Sequence, residues 1–397
     1  MKKRLISLVA AAALVGGMAT VAPSMAQAGT VTVGGDTQVQ LYGGVKFTSA
    51  WSKKTNGLNS NIAFDIGKAK KDLDLKTTAS DKAWDKWNWN GFEMNDAGTI
   101  LGVNFSNKDA NLTGKIEIGI GSSNYLRHAY VEHHFDNGLY ILVGQTNNTF
   151  EEHTFDMLPN ATAGFNPPSR SPQIAAGGTF DIADSASLDF KLAFLNEDYI
   201  GNALNRRAFP TVGLNVGVNF NTGFGAPARV YGNALIEGAK ITIDKGETEH
   251  SKTSSAFGVG FVLPVSMVTL QSEYIYAKGM ASLAGLKLKG VSDKDVNTST
   301  PLSYYEDDNG HLKALKWYAW NLEAKIAPMP CVSLAAGYDY FKVKHEAFNN
   351  KTFFINTAVK TTKYTTLGIE WDHMRTKWDD GYKATGNTFF TSYTYTF

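Results

Sequence analysis

The sequence has little cysteine, little charge and no long apolar run beyond its beginning. Cys331 is the single cysteine of 397 residues, which excludes an intramolecular disulfide and a metal site built on several thiolates. Charged residues are 19% of the chain. After residue 28, no apolar stretch is long enough for a transmembrane helix. Stability must therefore come from the pairing of backbone segments rather than from crosslinks.

The first 28 residues have the three parts of a secretory signal peptide. A basic start (Lys2–Arg4) precedes a mostly apolar stretch (Leu5–Ala22), and Ala26–Ala28 supplies small residues for cleavage. We expect cleavage after Ala28, which leaves residues 29–397 as one exported domain. An uncleaved anchor is the alternative, because the apolar stretch approaches membrane-spanning length. Two glycines and a proline weaken that helix.

The composition of the exported part argues against nucleic acid as a partner. Removing Lys2, Lys3 and Arg4 leaves 38 − 3 = 35 basic residues against 37 acidic ones, a net charge of −2. Aromatic residues are 12% of the chain and there are 38 glycines. Both suit tight turns and the aromatic girdles of a membrane β-barrel.

Alternating apolar and polar residues predict strands along most of the chain. In the segment from Val212 to Phe220, the apolar residues Val212, Leu214, Val216, Val218 and Phe220 alternate with Gly or Asn, a period of two. We count fifteen clear strands, and a weaker one at Phe353–Lys360 makes sixteen. Fourteen or eighteen are alternatives. The expected fold is an all-β transmembrane antiparallel barrel.

The predicted connections differ in length. Short turns include Asn107–Ala110, Asp136–Asn137 and a break at Pro264. Long connections are Trp51–Ala97, Phe150–Pro172, Asn196–Pro210, Ile241–Lys252 and Gly279–His311. Short periplasmic turns and long extracellular loops are typical of outer-membrane barrels, whose strand number is even.

The last residues, GNTFFTSYTYTF, place Tyr393, Tyr395 and Phe397 on one face of a strand. This ending resembles the C-terminal signature by which the assembly machinery of bacterial outer membranes recognises barrels. The resemblance implies that these three aromatics are a membrane-insertion signal. The expected location is therefore the outer membrane of a Gram-negative bacterium, in contact with its lipid and lipopolysaccharide.

One long connection carries a second resemblance. The stretch Asp156-Met157-Leu158-Pro159 follows the fifth strand and is similar to the third loop of general diffusion porins. In that family the loop folds into the barrel and narrows it, and the protein is a trimer. Asn160 stands where enteric porins carry a Glu, so the resemblance implies fewer acidic groups on the loop side of the constriction. The resemblance makes Asp156 a constriction carboxylate, with Arg127 and Arg170 as its cationic partners.

Further charged residues are candidates for the same constriction. Lys46 and Lys115 lie on polar strand faces, and Glu151 and Glu152 begin the long connection. For each, an ordinary solvated charge is the alternative. Strict alternation puts Arg127 on the apolar side of its strand. We place it inside, since an arginine facing lipid at the bilayer midplane costs roughly 2–4 kcal/mol.

No catalytic, cofactor or metal motif stands out. His133 and His134 are adjacent on a strand and point to opposite faces, and no Gly-rich phosphate loop or Cys/His cluster is found. We expect no enzyme and no cofactor. Trp84, Trp87 and Trp89 form a cluster in the first long loop. This cluster is expected to pack among the loops or against a neighbouring subunit. Ligand binding and a place in an interfacial girdle are the alternatives.

The expected function is passive diffusion of small hydrophilic solutes and ions through a water-filled barrel with a charged constriction. A substrate-selective channel for a sugar, peptide or anion is the first alternative; an enzyme or adhesin carried by a barrel is the second. Trp317 and Phe341, on the polar faces of their strands, are the only hint of lumenal aromatics.

Overall fold

A computed structural model describes residues 30–33, 36–55, 89–96, 98–120, 125–150, 156–158, 169–197, 206–207, 209–243, 248–280, 283, 303–306, 311–344, 349–377 and 383–397. The expected signal peptide, Glu151 and Glu152 lie outside these residues, as do Trp84 and Trp87. Within the described chain, we find no helix that is long and apolar enough to cross a membrane.

Strands make up most of the described chain. They are β1 Thr30–Thr32, β2 Thr37–Thr55, β3 Trp89–Asn95, β4 Thr99–Asn107, β5 Leu112–Ile120, β6 Tyr125–His134, β7 Leu139–Asn147, β8 Arg170–Ala183, β9 Ala186–Leu195, β10 Arg206–Arg207, β11 Thr211–Asn221, β12 Pro227–Ile243, β13 Thr248–Val265, β14 Val268–Lys278, β15 Tyr304–Glu306, β16 Leu312–Ala314, β17 Lys316–Met329, β18 Val332–Val343, β19 Asn349–Lys360, β20 Thr365–Lys377 and β21 Lys383–Thr396.

The long strands form a closed antiparallel barrel of sixteen strands. β3 and β4 together make its second strand, because both pair with β2. The pieces β1 and β10 add to neighbouring strands, whereas β15 and β16 pair with each other. The sixteen strands predicted from alternation and parity are confirmed.

The last strand closes the barrel against the first. β21 pairs with β2 from Gly44 opposite Thr396 to Lys53 opposite Asn387. Past the ladder, the Phe397 N–H donates to the Gly43 carbonyl at 3.0 Å, and the Gly43 N–H donates back at 3.2 Å. The closure leaves no free edge strand, which is what a barrel in lipid requires.

The two faces of each strand differ as the period-two pattern predicts. On β11, Leu214 and Val216 are exposed, whereas Asn215 and Asn219 are buried inside. The same alternation makes Trp51, Val143 and many other large apolar side chains exposed around the ring. A continuous apolar outer surface of this kind faces lipid.

Several predicted boundaries need correction. The connection Trp51–Ala97 was predicted too long, because β2 runs to Thr55 and β3 begins at Trp89. Ile241–Lys252 is not a long loop, because β12 runs to Ile243 and β13 begins at Thr248. Pro264 lies inside β13, and the turn falls at Ser266, whose φ is +57°. The strand β8 was not delimited from the sequence, because its glycines and alanines blur the alternation.

Candidate pore-lining site

A cluster of charged side chains lies on the inner face of β5 and β6. The Glu117 carboxylate is its centre and is buried. It accepts a hydrogen bond from the Tyr42 hydroxyl at 2.7 Å and one from Arg127 Nε at 2.5 Å. Lys115 Nζ lies 3.0 Å from Glu117 Oε2, the oxygen that also accepts from Tyr42. Lys115 and Arg127, both predicted site residues, are therefore brought to one carboxylate.

A β-bulge explains how Arg127 reaches this inner cluster. Glu117 pairs with His128 and the next residue, Ile118, pairs with Leu126, so Arg127 has no partner opposite it. A bulge inserts one residue and breaks the strict alternation of side chains. Leu126 and Val131 face outward and are exposed. The bulge thus gives a structural reason for the inward placement of Arg127, which was expected because an arginine facing lipid is costly.

Arg170 extends the cationic wall from the start of β8. Its Nε donates to His128 Nε2 at 3.3 Å, and His128 Nδ1 lies 2.9 Å from the Thr146 hydroxyl. Because Nε2 accepts, the proton of the neutral imidazole belongs on Nδ1. The histidine therefore bridges Arg170 to β7 without adding charge. Sequence reasoning missed His128.

The short stretch Asp156–Leu158 is held by inward-facing side chains of β17 and β19. The Asp156 N–H donates to Glu323 Oε2 at 2.9 Å, and Asn356 Nδ2 donates to the Asp156 carbonyl at 2.5 Å. The Asp156 carboxylate lies 2.9 Å from Lys325 Nζ. Its ion-pair partner is thus Lys325, which the sequence did not single out, rather than Arg127 or Arg170.

The end of the same stretch is bound by β20 and β2. The Leu158 N–H donates to Glu370 Oε2 at 2.8 Å, and Lys46 Nζ donates to the Leu158 carbonyl at 2.9 Å. Asn356 Nδ2 also donates to Glu370, at 2.9 Å. Lys46, a predicted site residue, therefore holds loop backbone. Glu323 and Glu370 were missed because the alternation gives their face but not which loop they meet.

No model of a known protein family matches the sequence, and no curated protein does. Solved structures match the fold. The outer membrane channel DcaP of Acinetobacter baumannii has a TM-score of 0.67 at 17% identity, covering 91% of this chain and 97% of that one. The anion-selective porin from Comamonas acidovorans has a TM-score of 0.58 at 11% identity, covering 91% and 100%. OmpF of Salmonella typhi, in complex with daunomycin, has a TM-score of 0.53 at 13% identity, covering 91% and 98%.

The chain has the fold of a Gram-negative outer-membrane porin. With its apolar outer surface, this porin fold places the chain in the outer membrane.

A third group of inward side chains in this porin fold is apolar. Trp317 and Phe341 are fully buried, with ring centroids 5.6 Å apart. The Trp317 indole N–H donates to the Met280 carbonyl at 3.1 Å. Leu283 and Leu315 belong to the same cluster. The two aromatics thus face inward, as predicted, but they pack against the ends of the β14–β17 connection and form no exposed track.

The terminal aromatics lie on the outer face. Tyr393 and Tyr395 are exposed, and the Tyr395 ring lies 6.2 Å from the rings of both Tyr364 and Phe397. Their position fits an aromatic girdle. Their role as an insertion signal stays a prediction. No group of three or more His, Cys, Asp or Glu with metal-binding geometry occurs among the described residues.

Proposed function

We propose that this chain is a passive outer-membrane channel for small hydrophilic solutes and ions. The observation that carries the proposal is the closed ring of sixteen strands, apolar outside and charged inside. A ring of this size is too wide for wall side chains to fill, so its interior holds water. Solutes that dissolve in water then cross without a chemical step, and no enzymatic activity is needed.

The connection between β7 and β8 forms the constriction in this proposal. β7 and β18 lie on opposite sides of the sixteen-stranded ring. The stretch Asp156–Leu158 nevertheless bonds to β17 and β19, the two neighbours of β18, and to β20 and β2. These bonds support a connection that crosses the lumen and narrows it.

Asp156, Arg127, Arg170, Lys46 and Lys115 are the proposed constriction residues, together with Glu151 and Glu152 outside the described chain. Loop and wall charges create a field across a narrow pore, which favours polar solutes and penalises apolar ones.

Swelling of proteoliposomes in neutral sugars of increasing size tests the proposal. A passive channel gives rates that fall smoothly with solute size and rise linearly with concentration. Liposomes that swell no faster than protein-free ones contradict it.

A substrate-selective channel is the second candidate, and one observation favours it. The inward cluster of Trp317, Phe341 and Met280 occupies part of the interior wall of β17 and β18. This reduces the space left for water. Swelling that saturates with one solute and is blocked by it supports this alternative over the general channel.

The proposed assembly is a homotrimer inserted by the barrel assembly machinery after removal of residues 1–28. The porin resemblance and the porin fold support this assembly. Light scattering of the detergent-solubilised protein tests it, with three times the monomer mass as the expected result. N-terminal sequencing of the same sample tests cleavage after Ala28.

A further inference from the structure

We infer that this pore prefers anions, and that Lys115, Arg127 and Arg170 set the preference. The inference rests on the proposed channel function and deepens it, since it assigns the sign of charge that the channel admits. It follows from which charges of the inner wall reach water and which are covered.

On the wall of β5 and β6, the cations are more exposed than their carboxylate. The Lys115 side chain is 25% exposed and that of Arg127 is 19% exposed, whereas the Glu117 side chain that both contact is 4% exposed. Tyr42 covers the carboxylate further. An ion in the lumen therefore meets ammonium and guanidinium groups first.

The same wall carries more positive than negative charge. Glu117 is one carboxylate shared by Lys115 and Arg127. Arg170 adds a third cation, and within the described part of the chain its hydrogen bond goes to the neutral His128 rather than to a carboxylate. Glu132 on β6 is the second carboxylate of this wall; its side chain is 6% exposed and lies 2.8 Å from His134 Nε2. The three cations and two carboxylates leave a surplus of one positive charge, and the cations are the more exposed side chains.

On the other side of the ring, two inward carboxylates contact loop backbone, and the further carboxylates Glu237, Glu273, Asp339 and Asp372 are buried as well. Glu323 and Glu370 are buried, and each accepts an N–H from the Asp156–Leu158 stretch. In the ion pair between that stretch and the wall, the Lys325 side chain is 24% exposed and that of Asp156 is 8% exposed. A cation again faces the lumen.

Several carboxylates among the described residues depart from this pattern. The Asp189 side chain is 22% exposed but is ion-paired with Arg229, so the pair is neutral. Glu93, on β3, and Glu197, after β9, are half-buried and have interaction partners. The exposed carboxylates Asp136, Asp181 and Asp184 lie in or beside short turns. The cluster of Lys115, Arg127 and Arg170 keeps its positive surplus.

Screening makes the exposed charges decisive. In 0.15 M salt, a charge acts over about 8 Å through water, so a permeating ion responds mainly to the side chains nearest its path. Exposed rings of Arg and Lys bias a pore toward anions.

The reversal potential in a KCl gradient across a planar bilayer tests this inference. For the wild-type protein, we expect a sign that gives chloride a higher permeability than potassium. Arg127→Gln combined with Arg170→Gln is expected to lower the permeability ratio about fivefold or more, since a single unit charge at about 4 Å in water already corresponds to roughly fivefold. Lys363→Gln, in the turn after β19, is the control: it removes one charge outside the lumen and is expected to leave the ratio unchanged.

Open channels that favour potassium overturn the inference and leave the proposed channel intact. If the permeability ratio falls equally in the double variant and in Lys363→Gln, then Arg127 and Arg170 do not set the preference, and that part of the inference is wrong. Complete absence of current in the wild-type protein overturns the inference together with the channel function. Migration of each variant as a folded barrel on an unheated gel confirms that the comparison concerns folded protein.

Discussion

At the scale of single residues, missing side chains make room for the charged network of the lumen. Gly102 on β4 lies beneath the Tyr42 ring, and a Cβ at this position would lie 2.2 Å from Tyr42 Cζ. Tyr42 can therefore reach Glu117 only because residue 102 has no side chain. The Glu117 site depends on this close approach.

Gly102→Ala is expected to displace Tyr42, break its 2.7 Å bond to Glu117 and cost about 1–3 kcal/mol, as overpacking typically does. The urea concentration at half-unfolding, followed by tryptophan fluorescence in detergent, measures the loss. Gly232→Ala is the matched control, because a Cβ there would meet only the Gly258 carbonyl at 3.8 Å. Equal midpoints for the two variants would refute the role given to Gly102.

Single residues also mark the limit of what the sequence predicts. Lys46, Lys115 and Arg127 were identified as candidate lumenal cations, because a charge on a polar strand face or at membrane depth points inward. Their partners were not identified. A pattern of alternation gives the face of a strand but not the loop atoms packed on that face. The bulge at Arg127 is likewise invisible to a strict period of two.

At the scale of elements, the Asp156–Leu158 stretch is fixed mainly by side chains of strands far from it in sequence. Asn356 on β19 is central, because its amide donates both to the Asp156 carbonyl and to Glu370. It carries no charge, so its removal loosens the stretch without changing the field in the pore.

Asn356→Ala is expected to raise the open-channel current noise and to weaken the tether by about 0.5–1.5 kcal/mol for each lost hydrogen bond. Single-channel recording at fixed voltage measures the noise. Thr357→Ala, the next residue on the same strand, points to the other face and is the control. A quiet Asn356→Ala channel, indistinguishable from this control, would contradict a tethered constriction.

Elements were predicted better than their ends. Alternation reveals the strands because the outer face of a barrel wall meets lipid and the inner face meets the lumen. Parity then gives sixteen, because outer-membrane barrels have an even number of strands. The ends of β12 and β13 were misjudged because the alternation of apolar and polar residues fades there. Polar residues such as Thr248 and Lys252 do not distinguish a strand from a loop by their sequence.

At the scale of the whole molecule, the barrel has two ends with unlike connections. Cys331 is free, exposed and in the short turn between β17 and β18. Lys53 is exposed at the other end of the barrel, near the long connection after β2. The orientation typical of outer-membrane barrels puts the short turns in the periplasm.

Cys331 is therefore expected to react with a polymer-linked maleimide, too large for the pore, only after the outer membrane is permeabilised. Lys53→Cys in a Cys331→Ser background is expected to react in intact cells. Gel shifts of the labelled protein report both reactions. Labelling of Cys331 in intact cells would mean the opposite orientation.

The proposed function requires the barrel to be an open, water-filled channel. The most direct measurement is the single-channel conductance of the wild-type protein in a planar bilayer over a series of KCl concentrations. For an open pore, we expect discrete, ohmic current steps whose size rises in proportion to the conductivity of the salt solution. Insertion of folded protein without any current steps would contradict it.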